Sequence, residues 1–197
     1  MIKKIILATG NLHKAEEIIS LLKDLNIEII PMTHFPKYLK AIEDGKSLEE
    51  NAAKKATKAS KFFKEWTIAD DSGLEVDYLD GAPGIYSARY AGEKCTYHDN
   101  NKKLLAALDG VSEEKRTAKF KTVIALSSPD GKICLAKGEI FGTIANRVAG
   151  ANGFGYDSIF YVPEYGKTFS ELSFELKNSI SHRAKASQKI RKIVVDL

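Results

Sequence analysis

Short apolar runs alternate with amphipathic segments along the 197 residues, and this pattern predicts an α/β fold. Ile5 to Leu7 form a continuous apolar run, which is typical of a strand buried on both faces. Apolar side chains then recur with helical spacing from Ala15 to Leu22. We place Glu16, Glu17 and Lys23 on the polar side of this predicted helix. Glu28 to Met32 predicts a second strand.

A longer helix is predicted from Ser47 to about Lys64. Ser47 and Glu50 have the spacing of a capping box, in which the N-cap serine is followed three residues later by a glutamate. Several lysines lie along this helix, and we interpret most of them as a solvated face. Residues 33–46 lack periodicity and contain a proline, so we predict a loop before the helix.

The second half of the chain is predicted to contain a hairpin between helices. Thr96 can cap a helix that carries Leu104, Leu105 and Leu108. Strands are predicted at 117–127 and 132–142, because a Pro-Asp-Gly turn separates two β-prone runs. Three further elements are expected: an extended segment at 142–148, a strand at 158–162 and a final helix at 181–195.

Two carboxylates follow a predicted buried strand. Trp66 to Ala69 form the strand, Asp70 and Asp71 come directly after it, and Gly73 permits a sharp turn. In α/β proteins, the ends of strands line ligand-binding crevices. Adjacent carboxylates repel each other, and a Mg²⁺ ion, which binds carboxylates together with substrate phosphates, would compensate. Alternatively, the two acids only cap a turn before Leu74.

The turn between the first strand and the first helix is a candidate anion site. Backbone N–H groups and the helix dipole favour a phosphate at such a helix start. Thr9 and Asn11 add polar side chains, and Lys14 adds a positive charge. The turn lacks the Gly-Lys-Ser/Thr ending of a Walker loop. The alternative is that Asn11 only caps the helix.

A second candidate ligand site lies between Gly150 and Asp157. Phe154 is flanked by glycines, and an exposed ring there could stack on a nucleobase. The alternative is that Phe154 folds into the core, as phenylalanines usually do. His182 and Arg183 stand at the start of the final helix, where they could bind oxygen acceptors on a base or serve as ordinary capping residues.

Composition narrows the possible functions. The net charge of +4 is compatible with anionic small molecules and too weak to indicate nucleic acid as a partner. Cys95 and Cys134 are isolated, so neither a zinc site nor a disulfide framework is expected. Met1 to Leu7 is too short for a signal peptide, and no apolar run reaches membrane-spanning length. We therefore expect a reducing, cytoplasmic setting and no membrane partner.

Together these motifs resemble the inosine triphosphate pyrophosphatases, which are non-standard purine NTP pyrophosphatases. The matching segments, in family order, are Thr9-Gly10-Asn11 with Lys14; Glu43 before Glu50-Asn51-Ala52; Ala69-Asp70-Asp71-Ser72-Gly73-Leu74; Gly81-Ala82-Pro83-Gly84 with Tyr86-Ser87-Ala88-Arg89; Gly153-Phe154-Gly155-Tyr156-Asp157; and Lys177 with Ile180-Ser181-His182-Arg183. They span residues 7 to about 187. Ser158 departs from the family, which often has proline there, as does Leu176, where glutamate is common.

The resemblance implies a fold, a reaction and an assembly. The expected fold is α/β: one domain over residues 1–197, with a long mixed β-sheet flanked by helices and two lobes around a central active-site cleft. The expected reaction converts purine nucleoside triphosphates, namely ITP, dITP and XTP, to the monophosphate and pyrophosphate. The family is usually homodimeric.

The resemblance also implies roles for individual residues. Asp71 would be the general base and would bind Mg²⁺ together with Glu43. The triphosphate would contact Thr9, Gly10, Asn11, Leu12, His13 and Lys14. Ser72, Lys55 and Lys177 would also contact the substrate. The base would be surrounded by Phe154, Gly155, Tyr156, Asp157, His182 and Arg183.

Elementary chemistry adds two expectations to these roles. The charge of Asp70 should raise the proton affinity of one aspartate of the pair, which suits a base. Arg183 carries only donors, so it would pair with O6 of hypoxanthine or xanthine and not with the amino group of adenine. Guanine also carries O6, so Arg183 alone does not exclude GTP.

Three other functions are compatible with parts of the sequence. The chain could be a related house-cleaning pyrophosphatase that acts on other modified nucleotides. It could bind nucleotides without hydrolysing them, although a sensor has no need of a base. An RNA-binding module would need a stronger basic surface than this chain provides.

Overall fold

The computed structural model describes residues 4–196 and contains eight strands and five α-helices within that range. The strands are β1 (Lys4–Leu7), β2 (Glu28–Pro31), β3 (Thr67–Val76), β4 (Pro83–Gly84), β5 (Thr117–Ser127), β6 (Ile133–Ile144), β7 (Phe160–Val162) and β8 (Lys167–Thr168). The helices are α1 (Leu12–Leu22), α2 (Leu48–Phe63), α3 (Tyr97–Ala107), α4 (Phe174–Ile180) and α5 (His182–Val195). The part of the signal-peptide expectation that concerns Met1 to Lys3 lies outside the described residues.

The chain divides into two compact units. The first comprises the described residues of Met1–Asp71, Thr122–Gly138 and His182–Leu197, and the second comprises Ser72–Lys121 and Glu139–Ser181. The prediction of one domain over the whole chain stays a prediction.

The first unit contains a sheet with the strand order β2-β1-β3-β5-β6, in which β1 is parallel to both of its neighbours. β1 pairs in parallel with β2 from Lys4↔Glu28 to Leu7↔Pro31, and with β3 at Ile6↔Thr67 and Leu7↔Ile68. Its apolar run is buried as expected of a central strand. The core consists of apolar side chains from β1, β3, β5, α1 and α5, including Ile5, Leu7, Ile18, Leu22, Ile68, Ile124, Ile190 and Val194.

The second unit is built on antiparallel pairs. β3 pairs with β4 at Leu74↔Gly84, and β7 pairs with β6 at Thr143↔Tyr161 and with β8 at Val162↔Lys167. Phe120, Phe160 and Phe169 form an aromatic cluster at the centre of its core, with ring centroids 4.6 to 6.0 Å apart. Parallel and antiparallel pairs together make the sheet mixed, so the predicted α/β class with a mixed sheet and flanking helices is confirmed.

Elements with strong local signals lie where the sequence predicts them. α2 begins at Leu48, and the side chain of its N-cap Ser47 accepts a hydrogen bond of 3.1 Å from the backbone of Glu50. α3 begins after Thr96 with a full capping box. The β5–β6 hairpin and α5 are also confirmed.

Three expectations about the elements are wrong. The extended segment at 142–148 is not separate, because β6 itself continues to Ile144 and strand structure ends there. The strand predicted to begin at Ser158 begins at Phe160. Glu17 does not lie on a solvated side of α1, because its side chain is buried. The seven-residue helix α4 was not predicted, although Ser173 gives it an N-cap.

Between residues 4 and 196, the structure has no helix long and apolar enough to cross a membrane.

Candidate functional site

Asp70 and Asp71 lie inside β3, so the prediction that the strand ends at Ala69 is wrong. The parallel neighbour β1 is the strand that ends here. Its pairing with β3 stops at Leu7↔Ile68, and one further backbone hydrogen bond joins Ala8 N to Ile68 O at 2.7 Å. The two carboxylates therefore lie just beyond the carboxyl end of β1, although their own strand continues.

Asp70 belongs to a buried network of charges. Its Oδ2 lies 2.9 Å from Nζ of Lys14 and 3.6 Å from Nε of Arg183. Arg183 also forms an ion pair with Glu17, and its side chain is only 2% exposed. Burial by itself favours the neutral carboxyl, but Lys14, Arg183 and Lys55 outweigh it and hold the pKa of Asp70 well below its usual range. Asp70 is therefore a fixed anion, not a proton acceptor.

Asp71 has different partners and the opposite pKa shift. Its Oδ1 lies 2.9 Å from Nζ of Lys55, and its Oδ2 accepts a hydrogen bond of 3.2 Å from Nδ2 of Asn51. Burial raises the pKa of Asp71 by more than Lys55 and Lys14 lower it, and the nearby Glu43 carboxylate adds to the increase. Asp71 is thus the better proton acceptor of the pair.

Lys55 joins Asp71 to Glu43. Its Nζ lies 3.1 Å from Oε2 of Glu43, so the two carboxylates converge on one cation position. Burial opposes the charge of Lys55, yet Asp71, Asp70 and Glu43 outweigh it and raise the lysine pKa. Burial likewise favours neutral Glu43, but Lys55 outweighs it and the carboxyl pKa is lowered. All of these groups belong to the first unit.

The geometry at Glu43 and Asp71 fits a hard divalent cation. Mg²⁺ typically takes one or two carboxylates and completes its shell with phosphates and water, which matches two carboxylates meeting at one cation position. In the described part of the chain there is no group of three or more His, Cys, Asp or Glu side chains that could hold a metal ion by themselves.

The turn from Thr9 to Lys14 is organised around Asn11. The Asn11 side chain accepts from Lys14 N at 3.2 Å, and Asn11 N donates to Thr9 Oγ1 at 3.3 Å. Asn11 therefore caps α1, as the alternative reading of the sequence held. The same helix start directs Lys14 towards Asp70, so the cap and a cationic site occur together. Leu12 and His13 are exposed.

Phe154 and its neighbours form a well-fixed loop in the second unit. Asp157 Oδ2 accepts from Phe154 N at 2.8 Å and from Lys177 Nζ at 2.5 Å. The Lys177 ammonium lies 4.9 Å from the centroid of the half-buried Phe154 ring. At Gly153, φ is +75°, and an added Cβ would lie 2.2 Å from the Asp157 carboxylate, so only glycine fits there.

The second unit contains three further predicted substrate contacts, Gly155, Tyr156 and Ser72. Tyr156 is buried, and its hydroxyl donates to Ser87 O at 2.9 Å. Gly155 O accepts from Asn101 Nδ2 at 3.0 Å. Ser72 is half-buried in β3. The Tyr156 side chain therefore packs in the interior and anchors the loop to Ser87.

His182 and Arg183 open α5 and are buried in the first unit. A Cβ added at Gly138 would lie 2.1 Å from His182 O and 2.5 Å from Ala186 N, so β6 and the start of α5 are in close contact. Two carboxylates already neutralise Arg183. Recognition of a base by His182 and Arg183 stays a prediction.

Three residues near the acids were missed from the sequence. Glu17 pairs with Arg183, and Asn51 bonds to Asp71. Lys40 reaches the glycine turn, where a Cβ added at Gly10 would lie 2.2 Å from its Nζ. Only Asn51 had a signal in the sequence, since it stands in the matched family segment Glu50-Asn51-Ala52; Lys40 lies in the loop without periodicity.

The fold and the site define a class: an α/β protein in which a carboxylate pair, two lysines and a capped helix start are grouped at the end of a parallel strand, as suits an anionic phosphate ligand. The chain belongs to the Ham1 family, whose sequence model matches residues 5–193. The family resemblance inferred from the motifs is confirmed.

Curated relatives match over nearly the whole chain. A dITP/XTP pyrophosphatase of Desulforamulus reducens is 49% identical over 191 residues, which is 97% of this chain and 95% of the relative. A dITP/XTP pyrophosphatase of Listeria monocytogenes is 46% identical over 194 residues, covering 98% and 96% of the two chains.

Solved structures match at the level of the whole fold. A HAM1 protein from Coxiella burnetii superimposes with a TM-score of 0.90 at 39% identity and covers 100% of both chains. The Ham1 protein of Staphylococcus aureus superimposes with a TM-score of 0.87 at 41% identity, covering 98% of this chain and 99% of the other.

Proposed function

We propose that the chain is a nucleoside triphosphate pyrophosphohydrolase that converts ITP, dITP and XTP to the monophosphate and pyrophosphate. One observation carries the proposal: the buried carboxylate Asp71, with a raised pKa, lies beside Lys55 and Glu43 at the carboxyl end of β1. The names of the relatives, which are dITP/XTP pyrophosphatases, support the substrate class.

The charges of the first unit suit phosphoanhydride hydrolysis. This reaction needs an attacking water held in line and negative charge neutralised on the phosphates. Asp71 accepts a proton from the water, since its raised pKa gives it the stronger affinity of the two aspartates. Asp70 stays ionised and holds Lys14 close to the phosphate turn. Lys14, Lys55 and the turn of residues 9–14 at the start of α1 bind the triphosphate.

Mg²⁺ is the cofactor that this arrangement favours, with Glu43 and Asp71 as its ligands. When bound, it would supply positive charge on the phosphate oxygens. The Lys55 ammonium now bridges the same two carboxylates and would turn to the phosphates in the loaded enzyme.

The remaining substrate contacts of this proposal include those that surround the base. Phe154 offers a half-buried ring, and its backbone is held by Asp157, which supports a stacking role. Ser72, Gly155, Tyr156 and Lys177 are further contacts in this proposal, as are His182 and Arg183 for the base. A homodimer and a cytoplasmic setting remain predictions, and light scattering tests the first of them.

A nucleotide panel tests the function. The protein is incubated with Mg²⁺ and each of ITP, dITP, XTP, ATP, GTP, CTP and UTP, and pyrophosphate, orthophosphate and nucleoside monophosphate are measured separately. We expect pyrophosphate and monophosphate in equal amounts from ITP, dITP and XTP, and far slower turnover of the other nucleotides. Release of orthophosphate, or binding without turnover, would contradict the proposal. Preference for another modified nucleotide would favour the related house-cleaning activity.

A further inference from the structure

Asn51 is a buried amide in the first turns of α2, and it contacts two parts of the site at once. Its Nδ2 donates to Oδ2 of Asp71 at 3.2 Å, and its Oδ1 accepts from the backbone N of Gly45 at 2.8 Å. Gly45 N can only donate, so the oxygen of the amide must face Gly45 and the NH₂ group must face Asp71. Asn51 is only 2% exposed, and water does not compete for these bonds.

The Gly45 bond fixes the loop that carries Glu43. A Cβ added at Gly45 would lie 2.5 Å from Oδ1 of Asn51, so the loop passes the amide at the closest approach that glycine allows. Lys46 N also donates to Glu50 Oε2 at 2.8 Å, which docks the end of the loop on the start of α2. The Asn51 amide connects the backbone of this loop to Asp71, in addition to the link that Lys55 makes between the Glu43 and Asp71 side chains.

The two oxygens of Asp71 have separate partners on one helix face. Oδ1 faces Lys55 and Oδ2 faces Asn51, four residues earlier in α2. Because the amide is a neutral donor, it orients the carboxylate without adding a second positive charge. Rotation of the Asp71 carboxylate would break either the bond to Lys55 or the bond to Asn51.

We propose that Asn51 is a positioning residue, whose amide holds the Asp71 carboxylate and the Glu43 loop in one arrangement. This inference rests on the proposed function, in which both carboxylates act. The proposal has Asn51 act through its bonds to Asp71 and Gly45, with no direct contact to the substrate or the reacting water. Its loss should therefore reduce turnover far more than substrate binding, because a displacement of about 1 Å in a catalytic group can cost about 100-fold in rate.

Two substitutions separate the two ends of the amide. Asn51→Leu has nearly the same shape and removes both bonds. Asn51→Asp keeps an oxygen acceptor for Gly45 N and removes the donor to Asp71. Ser60→Ala is the matched control, since it removes the buried bond of 3.0 Å between Ser60 and Ser127 near the other end of the same helix.

Kinetics and hydrogen exchange are measured on the full chain. For Asn51→Leu we expect kcat for pyrophosphate release from ITP to fall about 100-fold, KM to change less than about threefold, and exchange of the Gly45 amide to accelerate at least about tenfold. Asn51→Asp should lose a similar factor in kcat while Gly45 stays protected. Ser60→Ala should lower the thermal midpoint and leave kcat within about twofold.

Several results would overturn the inference. The inference fails if Asn51→Leu keeps more than half of kcat, or if its loss is confined to KM. It also fails if the Gly45 amide stays fully protected in Asn51→Leu, or if Ser60→Ala loses as much kcat as Asn51→Leu does. If the unchanged protein released no pyrophosphate, the proposed function would fail, and Gly45 exchange would still decide whether Asn51 holds the loop.

Discussion

Asp70 and Asp71 are consecutive residues of β3, yet Asp70 is paired with Lys14 and Asp71 with Lys55, each at 2.9 Å. Successive side chains of a strand point to opposite faces, so each carboxylate meets a different helix: α1 for Asp70 and α2 for Asp71. Burial raises both pKa values, but Lys14, Arg183 and Lys55 outweigh it at Asp70, so the pKa of Asp70 is lowered while that of Asp71 is raised. A pair of titratable groups separated in this way indicates which one exchanges protons.

Asp71→Asn should fold and lose nearly all turnover. The amide has the shape of the carboxylate and cannot accept a proton, so kcat for pyrophosphate release should fall by about 10³ or more. Burial disfavours the charge of Asp71, so the melting temperature should not fall. Pyrophosphate assays and thermal melts check the two expectations, and full activity in this variant would remove Asp71 from the mechanism.

Lys14→Met should weaken the protein mainly at neutral pH. The pKa of Asp70 is lowered in the folded state, so its ionised form adds stability above the unfolded pKa of about 3.9, and this contribution is lost as pH falls through the lower folded value. Without Lys14, the folded pKa rises and the contribution shrinks. Urea unfolding from pH 7 down to about pH 1.5 should show the difference between the two proteins narrowing only below the unfolded pKa of Asp70; a difference that stays constant through this acid range would contradict this account.

Arg183→Ala should be strongly destabilising, whatever its effect on substrate choice. It leaves Glu17 and Asp70 buried without their guanidinium, and loss of one partner of a buried ion pair costs about 3–5 kcal/mol in the free energy of unfolding. Arg191→Ala is the control, because it lies on the same helix and breaks an exposed pair with Asp24. Urea unfolding of both variants checks the prediction, and equal losses would refute it. A test of base recognition at Arg183 must therefore be corrected for the folded fraction.

Gly138→Ala should separate β6 from the start of α5. The added Cβ would lie 2.1 Å from His182 O, a backbone atom that cannot turn away. Overpacking of this kind costs about 1–3 kcal/mol, and the displaced helix carries Arg183. We expect a lower unfolding midpoint together with reduced turnover. If the variant unfolds like the unchanged protein, the close packing of these two elements is not important for stability.

The sequence was informative wherever a signal was local. Ser47 and Glu50 predict the start of α2 because they are three residues apart, and in the structure Glu50 N donates to the Ser47 hydroxyl. Asp70 and Asp71 are also a local signal, but they led to the wrong prediction that the strand ends at Ala69. Charged residues normally end a buried strand, but here Lys14 and Lys55 neutralise them, and β3 continues to Val76.

Distant pairings could not be predicted. Glu17 looks like one more solvated glutamate beside Glu16, and its partner Arg183 is 166 residues away. Lys40 reaches Gly10 from a loop that has no pattern of its own. The spacing of the motifs predicted which side chains belong to the site. The ion pairs that set their charge states join residues far apart in the chain, so only the structure reveals them.

The bond between Glu17 and Arg183 also bears on how the protein is made. During synthesis α1 is made first and α5 only after the other helices. Glu17 and Asp70 therefore remain without Arg183 as a partner until the intervening chain has been made. A nascent or prematurely terminated polypeptide that lacks α5 would leave Glu17 and Asp70 without the guanidinium that neutralises them in the folded unit. These two buried charges would then be neutralised by Arg183 only late in synthesis, once α5 has been made.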